Sequence, residues 1–169
     1  MAIVGTPSQT AGPLWGFALM FEGCEHAVDP SDPAAIRIEG KIVDGAGEPF
    51  GYPDSFLEVW QGEQFARART DEQGRYSVTF AKPDAVALPD GRLQAPHLNV
   101  SIFGRGLLKQ AQTRIYFPDE AAANEDDPVL ELVDAERRPS LIARAENGAL
   151  RFDVRLQGDR ETETVFFNL

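Results

Sequence analysis

The chain has 169 residues, which suits one domain that buries roughly 70% of the surface its unfolded chain would expose. Hydrophobic residues make up 43% of the sequence and include 11 phenylalanines, so a core can form without a structural metal or a disulfide. A net charge of −11, from 16 Lys and Arg against 27 Asp and Glu, argues against nucleic acids and anionic membrane surfaces as partners.

Several features favour a reducing, cytoplasmic environment. Cys24 is the single cysteine and has no partner for an internal disulfide. No Lys or Arg precedes Arg37, so the basic start of a secretory signal is missing. The apolar stretch from Leu14 to Phe21 is too short to span a bilayer. We therefore expect a soluble cytoplasmic protein.

Residues 1–35 lack hydrophobic periodicity and form an N-terminal arm in our prediction. The segment Thr6 to Pro13, TPSQTAGP, contains prolines and a glycine that oppose regular structure. Such an arm can hang loose or lie across a neighbouring surface. These residues by themselves favour the loose arm.

From residue 36 onwards, apolar and polar residues alternate with the period of two that is typical of half-buried strands. Turn signals rich in Gly, Asp and Asn separate these segments. Helical sequence is confined to 119–124, with short turns possible near 128–133 and 137–143. The predicted strands, in chain order, lie around 36–42, 56–60, 76–80, 98–102, 113–117, 150–156 and 164–167.

This pattern predicts an all-β chain. Short strands with frequent turns imply an antiparallel β-sandwich, here over residues 36–169, with an irregular N-terminal arm and one or two short helices.

One predicted strand carries a candidate metal face. His97, Asn99 and Ser101 share a side of this strand, because side chains alternate along it. Two histidines at this spacing could bind one metal ion, but Asn99 is a poor transition-metal ligand beside an imidazole. His26 is the other histidine, and nothing in the sequence places it nearby. We expect no metal site in this chain.

Arg105 is the most interesting polar residue outside that strand. It follows the strand directly, between Gly104 and Gly106, and an arginine at a strand end can stabilise a carboxylate or a developing anion. A surface arginine paired with an acid is the alternative that the residues alone favour. No serine or cysteine lies in a recognisable nucleophile motif.

Several segments in order along the chain resemble one known family: TPSQTAGP at 6–13, DSFLEVWQ at 54–61, APHLNVS at 95–101, TRIYF at 113–117 and ETVFF at 163–167. The sequence is similar to the intradiol ring-cleaving dioxygenases over nearly its whole length, from about Thr6 to Leu169. The similarity is greatest to the subunit without iron in the two-subunit members.

The resemblance implies a β-sandwich in a family that binds ferric iron with two tyrosines and two histidines, the histidines coming from a His-x-His strand. His97 matches the first histidine, but Asn99 stands at the second. The short loop 61–71 and the segment 82–95, where the tyrosine ligands would lie, contain no tyrosine. The tyrosines present are Tyr52, Tyr76 and Tyr116. The implied Fe(III) therefore belongs to an iron-bearing β subunit, and this chain is expected to hold no cofactor.

The resemblance also implies the roles of three residues. Thr10 and Pro13 would lie against the aromatic ring of the substrate, so the arm 1–35 would pack on the partner subunit. Arg105 would place positive charge near the substrate or an anionic intermediate. The implied substrates are protocatechuate and O2, which a higher oligomer of α/β pairs would convert to 3-carboxy-cis,cis-muconate.

Two other functions compete with this one. A stand-alone β-sandwich carrier or interaction module is compatible with the segment DEQGRY at 71–76, but it explains the arm and the ending VFF poorly. An independently active homo-oligomeric dioxygenase is incompatible with the missing ligands.

Overall fold

The computed structural model describes residues 5, 7–51 and 53–168, and the backbone alone of Phe17. Its helices are short: α1 (Trp15–Ala18), α2 (Ala121–Glu125) and the 3-10 helices η1 (Leu130–Leu132) and η2 (Arg138–Leu141). Its strands are β1 (Ala35–Val43), β2 (Ser55–Gln61), β3 (Gln64–Arg69), β4 (Arg75–Ala81), β5 (Val86–Ala87), β6 (Leu93–Gln94), β7 (His97–Gly104), β8 (Ala111–Tyr116), β9 (Arg144–Glu146), β10 (Ala149–Arg151) and β11 (Val154–Arg155).

The strands form two main sheets, which confirms the predicted all-β sandwich. One sheet is antiparallel with the order β3-β2-β7-β8. In the other, β4 lies antiparallel to β1, while β10 and β11 pair with β1 in parallel. β9 pairs antiparallel with β10, and β5 and β6 form a small separate hairpin. The parallel pairing was not predicted, since period-2 alternation carries no information on strand direction.

The core lies between the inner faces of the two sheets. Alternate residues of β1 and β4 point inwards and meet alternate residues of β2, β7 and β8. The fully buried members include Ile38, Ile42, Val78, Phe80, Leu57, Val59, Leu98, Val100, Ile102 and Ile115. A second cluster around Tyr116, Leu130 and Leu141 fixes the helical segments against the end of the sandwich.

The predicted strand 150–156 is broken in the middle. Phe152 N donates to Glu39 O at 2.9 Å, and Phe152 O accepts the Tyr76 hydroxyl at 2.7 Å. At the next residue, the Asp153 carboxylate rather than a backbone carbonyl accepts Lys41 N at 2.9 Å. This segment therefore forms two short strands, β10 and β11, instead of one.

The predicted loop 61–71 is wrong. These residues include the end of β2, a tight turn at Gly62–Glu63 and the whole of β3, with six residue pairs in register from Phe56–Arg69 to Gln61–Gln64. Gly62 has a φ of +57°, which a glycine adopts without strain. The inward positions of β3 are Ala66 and Ala68, whose small side chains give a weak strand signal.

The predicted strand 164–167 is also wrong, because the segment is irregular. It still follows β8: Phe167 N donates to Gln112 O at 2.8 Å, and the Thr113 hydroxyl donates to Val165 O at 2.8 Å. The side-chain bond takes the place of a regular ladder. Within the described ranges, none of the helices is long and apolar enough to cross a membrane.

Candidate functional site

The turn that joins β7 to β8 is held by the N-terminal arm. The Thr10 hydroxyl donates to Gly104 O at 3.1 Å and accepts Gly106 N at 2.8 Å. Gly106 has a φ of +94°, which allows the tight turn. The structure thus brings two of the predicted site residues together, since Arg105 lies between the two glycines that Thr10 contacts.

The Arg105 side chain projects from this turn, and its backbone is held in place. Its backbone N donates to Asp54 O at 3.1 Å, and its Nε lies 3.7 Å from the Asp54 carboxylate. The Asp54 side chain is 10% exposed, whereas that of Arg105 is 75% exposed. The guanidinium therefore remains accessible to a ligand or a partner chain, while the buried carboxylate limits where it can point.

Pro13 lies one turn further along the arm and is exposed. It follows Gly12 in a turn closed by a bond from Trp15 N to Gly12 O at 3.3 Å. The turn leads into α1, where the Trp15 ring packs on Phe56 with 4.3 Å between ring centroids. The described part of the arm thus lies on the outer face of the β3-β2-β7-β8 sheet of the same chain.

A cavity of about 350 Å³ opens between the arm and this sheet. Thr10, Trp15 and Leu19 of the arm face Phe56 and Phe103 of the sheet across it. The Phe56 and Phe103 rings stack at 4.8 Å. Pro13 and Arg105 do not line this cavity. Thr10 is therefore the predicted site residue that connects this cavity with the turn of Arg105.

His97 lies on the same outer face, at the other end of β7, and is 2% exposed. Its Nδ1 lies 2.8 Å from Ala95 O, which can only accept, so Nδ1 carries the proton. Nε2 then accepts the Gln61 amide at 3.3 Å. Burial lowers the pKa of His97, although the bond to Ala95 opposes the shift. Both ring nitrogens of a neutral imidazole are thus engaged.

Asn99 and Arg114 lie opposite each other next to His97. The Asn99 amide faces Trp60 O at 3.5 Å, a long contact. The Arg114 guanidinium donates to Gln94 Oε1 at 2.5 Å and to the Tyr116 hydroxyl at 3.3 Å. A hydrogen-bonded cation therefore lies beside His97 and Asn99, where its charge would repel a ferric ion.

Tyr116 completes this cluster, with its ring 5.6 Å from that of His97. Its hydroxyl donates to the Asp127 carboxylate at 3.1 Å. Burial raises the pKa of the Tyr116 phenol far above its usual value, despite the bond from Arg114. This hydroxyl is thus hydrogen-bonded on both sides, and residue 116 lies outside the segments 61–71 and 82–95 in which the family resemblance would place the tyrosine ligands.

Tyr76, the other tyrosine that the structure describes, does not offer a free hydroxyl either. The Tyr76 hydroxyl donates to Phe152 O, and burial raises its pKa too. Tyr52 lies outside the described residues. Among the residues that are described, no group of three or more His, Cys, Asp or Glu could hold a metal ion. The residues around His97 therefore do not fit Fe(III).

Sequence reasoning missed the partners that define these positions. Asp54, Gln61 and Gln94 were not singled out, although they contact Arg105, His97 and Arg114 respectively. Arg114 lies opposite Asn99 only through the register of β7 and β8, which the sequence does not reveal. Gln61 lies 36 residues from His97, and no local pattern marks that pair.

The fold is that of the intradiol dioxygenases. The dioxygenase domain of a carbohydrate-binding fusion protein from Streptomyces sp. SirexAA-E superposes with a TM-score of 0.58 at 20% identity, over 79% of this chain and 87% of that one. Hydroxyquinol 1,2-dioxygenase from Pseudomonas putida DLL-E4 gives 0.59 at 17% identity, over 92% of this chain and 63% of the longer neighbour. At these identities the likeness concerns the fold.

Sequence comparison is more specific. Protocatechuate 3,4-dioxygenase alpha chains from Burkholderia cepacia and Pseudomonas putida are 37% and 38% identical, over 97% and 96% of this chain and the same shares of theirs. The chain belongs to the family of protocatechuate 3,4-dioxygenase alpha chains. No family model matches it. The alignment to the Burkholderia protein runs over 199 positions, so that relative has residues which this 169-residue chain lacks.

Proposed function

We propose that this chain is the iron-free alpha subunit of a protocatechuate 3,4-dioxygenase, and that a beta subunit holds Fe(III). The observation that carries the proposal is that the residues on and beside the His97 strand cannot act as a set of iron ligands. Both ring nitrogens of His97 are hydrogen-bonded, Asn99 stands at the second ligand position, and the Tyr116 hydroxyl is engaged by Arg114 and Asp127. An alpha chain with no capacity for iron needs a partner that has it.

The reaction would break the ring bond between the two hydroxyl-bearing carbons of protocatechuate. Each of these carbons becomes a carboxyl carbon, and both oxygen atoms of O2 enter 3-carboxy-cis,cis-muconate, so no further reductant is consumed. Ferric iron on the partner would bind the catecholate and allow it to react with O2. The role of this chain is to supply part of the pocket wall and its charge.

Arg105 is the residue we assign to that charge. Its side chain is exposed and its base is held by Asp54 and by the turn that Thr10 clamps. Protocatechuate carries a carboxylate, and ring cleavage develops further negative charge. A guanidinium at the pocket edge stabilises both by charge-assisted hydrogen bonds.

Thr10 and Pro13 are assigned to the side of the pocket nearest the substrate ring. The described arm starts on this chain's own turn, with Thr10 against Gly104 and Gly106. Pro13 and Leu14 are exposed beyond it, the latter at 76%. An exposed proline beside an exposed leucine is suited to pack against a partner, so we propose that the arm 1–35 contributes to the subunit contact.

The test is to co-express Arg105→Gln and Arg105→Lys with the partner subunit. A lost charge-assisted hydrogen bond costs about 1.5–3 kcal/mol, so kcat/KM should fall at least about tenfold in the Gln variant and partly recover in the Lys variant. Arg160→Gln is the matched control, because Arg160 is 73% exposed and pairs with a single aspartate, Asp134. Unchanged kcat/KM in Arg105→Gln, with iron content and assembly intact, removes Arg105 from the mechanism.

A second measurement tests the division of labour between the subunits. The complex should be red-brown from tyrosinate-to-iron charge transfer, while this chain expressed alone should be colourless and free of iron. A coloured, active isolated chain would overturn the subunit assignment. We also place the complex, a higher oligomer of α/β pairs, in the cytoplasm; the single thiol of Cys24 is buried and donates to Arg67 O at 3.2 Å, in keeping with a reducing compartment.

A further inference from the structure

A basic cleft lies on the outer face of the sheet that contains β1, whereas the turn of Arg105 extends from the other sheet. It forms where β10 and β11 are interrupted, between β1 and the segments 139–144 and 162–164, and it encloses about 350 Å³. That volume is at the small end of the range for ligand pockets, about 300–1,000 Å³. The proposed ring-cleavage function does not use this cleft.

Four cations converge on the cleft. Lys41, Arg144, Arg151 and Arg155 line it, with Asp153 as the one carboxylate among its lining residues. This is a local excess of positive charge in a chain whose net charge is −11. The net negative charge of the whole chain repels large polyanions, so this local excess favours a compact anion.

Asp153 offsets one of these four positive charges, and its oxygens are taken up by Arg144, Arg151 and the backbone N–H of Lys41. Oδ1 accepts Lys41 N at 2.9 Å and the Arg151 guanidinium at 2.7 Å, and Oδ2 accepts Arg144 at 3.0 Å. Burial raises the pKa of this carboxyl, but these bonds outweigh it and hold the pKa below its usual value. Asp153 therefore stays ionised and fixes the two arginines in place.

Lys41 and Arg155 are the cations left over. Within the described residues, neither forms an ion pair, and Arg155 reaches Gly45 O at 3.4 Å with one Nη. Both stand on strands of the same sheet, paired at 42–43 with 154–155, so their backbone positions are rigid. The strand pairing thus fixes the direction from which both side chains enter the cleft.

We propose that this cleft binds a compact multivalent oxyanion. Inorganic phosphate and a small di- or tricarboxylate share the chemistry that its donors recognise: several anionic oxygens within a few ångströms of one another. Lys41 and Arg155 are the main donors, and Arg144 and Arg151 provide further positive charge held in place by Asp153. An acidic segment of a partner subunit is the competing occupant.

The experiment uses the purified complex, exchanged into chloride buffer at constant ionic strength and titrated with phosphate or with citrate by calorimetry. Phosphate or citrate should bind saturably at one site per chain. The anion that binds more tightly identifies whether the natural ligand is a phosphate or a small carboxylate. The double variant Lys41→Gln/Arg155→Gln should weaken binding at least about tenfold, since each removes a charged donor. Lys41→Arg keeps the charge and should retain binding.

The matched control is Arg92→Gln/Lys109→Gln, which removes the same charge from exposed positions outside the cleft. Equal affinities in the control and the Lys41/Arg155 variant would mean general charge screening and overturn the proposal. If neither phosphate nor citrate binds saturably, the proposal is also overturned. Dissociation of the complex in the Lys41/Arg155 variant alone would assign the cleft to a subunit contact instead.

Discussion

The Thr10 hydroxyl lies 2.8 Å from Gly106 N, although the two residues are 96 positions apart in the sequence. With its second bond to Gly104 O, it clamps both sides of the turn that carries Arg105. The arm and the turn are therefore one structural unit at the rim of the candidate site.

Thr10→Val should loosen this unit without changing the size of the side chain. Without these two hydrogen bonds, the turn conformation that positions Arg105 is less stable by about 1 kcal/mol. The kcat/KM of the complex should therefore fall roughly fivefold. Thr10→Ser keeps the hydroxyl and should stay close to the parent. The measurement is steady-state turnover of protocatechuate. Equal activity in Val and Ser variants would show that the clamp does not position Arg105.

The buried His97 should make stability depend on pH. Because burial lowers its pKa in the folded chain, the unfolded chain takes up a proton first as the pH falls below about 6.5. The free energy of unfolding should be independent of this group above that pH and decrease below it, by at most about 1.4 kcal/mol per pH unit.

Urea unfolding of the full chain between pH 5 and 8 (about the range in which histidine titrates) checks this. His97→Gln removes the titrating group, so its curve should be flatter below about pH 6.5. The half-exposed His26, with Nδ1 on the Thr79 hydroxyl at 3.0 Å, provides the control: His26→Gln should keep the slope that His97 causes. Parallel curves for the parent and His97→Gln would contradict the prediction.

Gly40 is required because the backbone of Phe152, between β10 and β11, approaches it closely. A Cβ at this position would lie 1.8 Å from Phe152 O and 3.0 Å from the Tyr76 ring. Gly40→Ala should therefore lower the free energy of unfolding by about 3 kcal/mol or more. Gly12→Ala, where the Cβ has nothing within 4 Å, should change it by less than about 0.5 kcal/mol. Thermal unfolding of both variants measures the contrast, and similar stabilities would refute it.

Restoring the second histidine should not restore iron. Asn99→His would recreate the His-x-His pattern, but Gln61 is hydrogen-bonded to His97 Nε2, and the segments 61–71 and 82–95 would still contain no tyrosine. The purified variant should contain no stoichiometric iron by elemental analysis and show no visible charge-transfer band. A coloured Asn99→His chain would mean that the cluster rearranges around the metal more easily than its hydrogen bonds suggest. Asn99→Gln serves as the control for the change in side-chain length.

The sandwich was readable from local alternation because a strand places successive side chains on opposite faces whatever lies around it. For the same reason His97, Asn99 and Ser101 could be assigned to one face, and the deficit of metal ligands followed from residue identity alone. The missed strand β3 has alanines at its inward positions, where the alternation signal is weakest. The ending 164–167 alternates like a strand but bonds through the Thr113 side chain.

The sequence by itself determined that this chain is all-β and that its His97-Leu98-Asn99 strand is short of ligands, because both are properties of single segments. Only the tertiary structure decided that 149–155 returns parallel to β1, that Gln61 engages His97, and that Thr10 clamps the turn of Arg105. The basic cleft around Lys41 and Arg155 is likewise visible only in the tertiary structure. Each of these depends on strand order and register, which arise from the packing of distant segments against one core and are not encoded in any one of them.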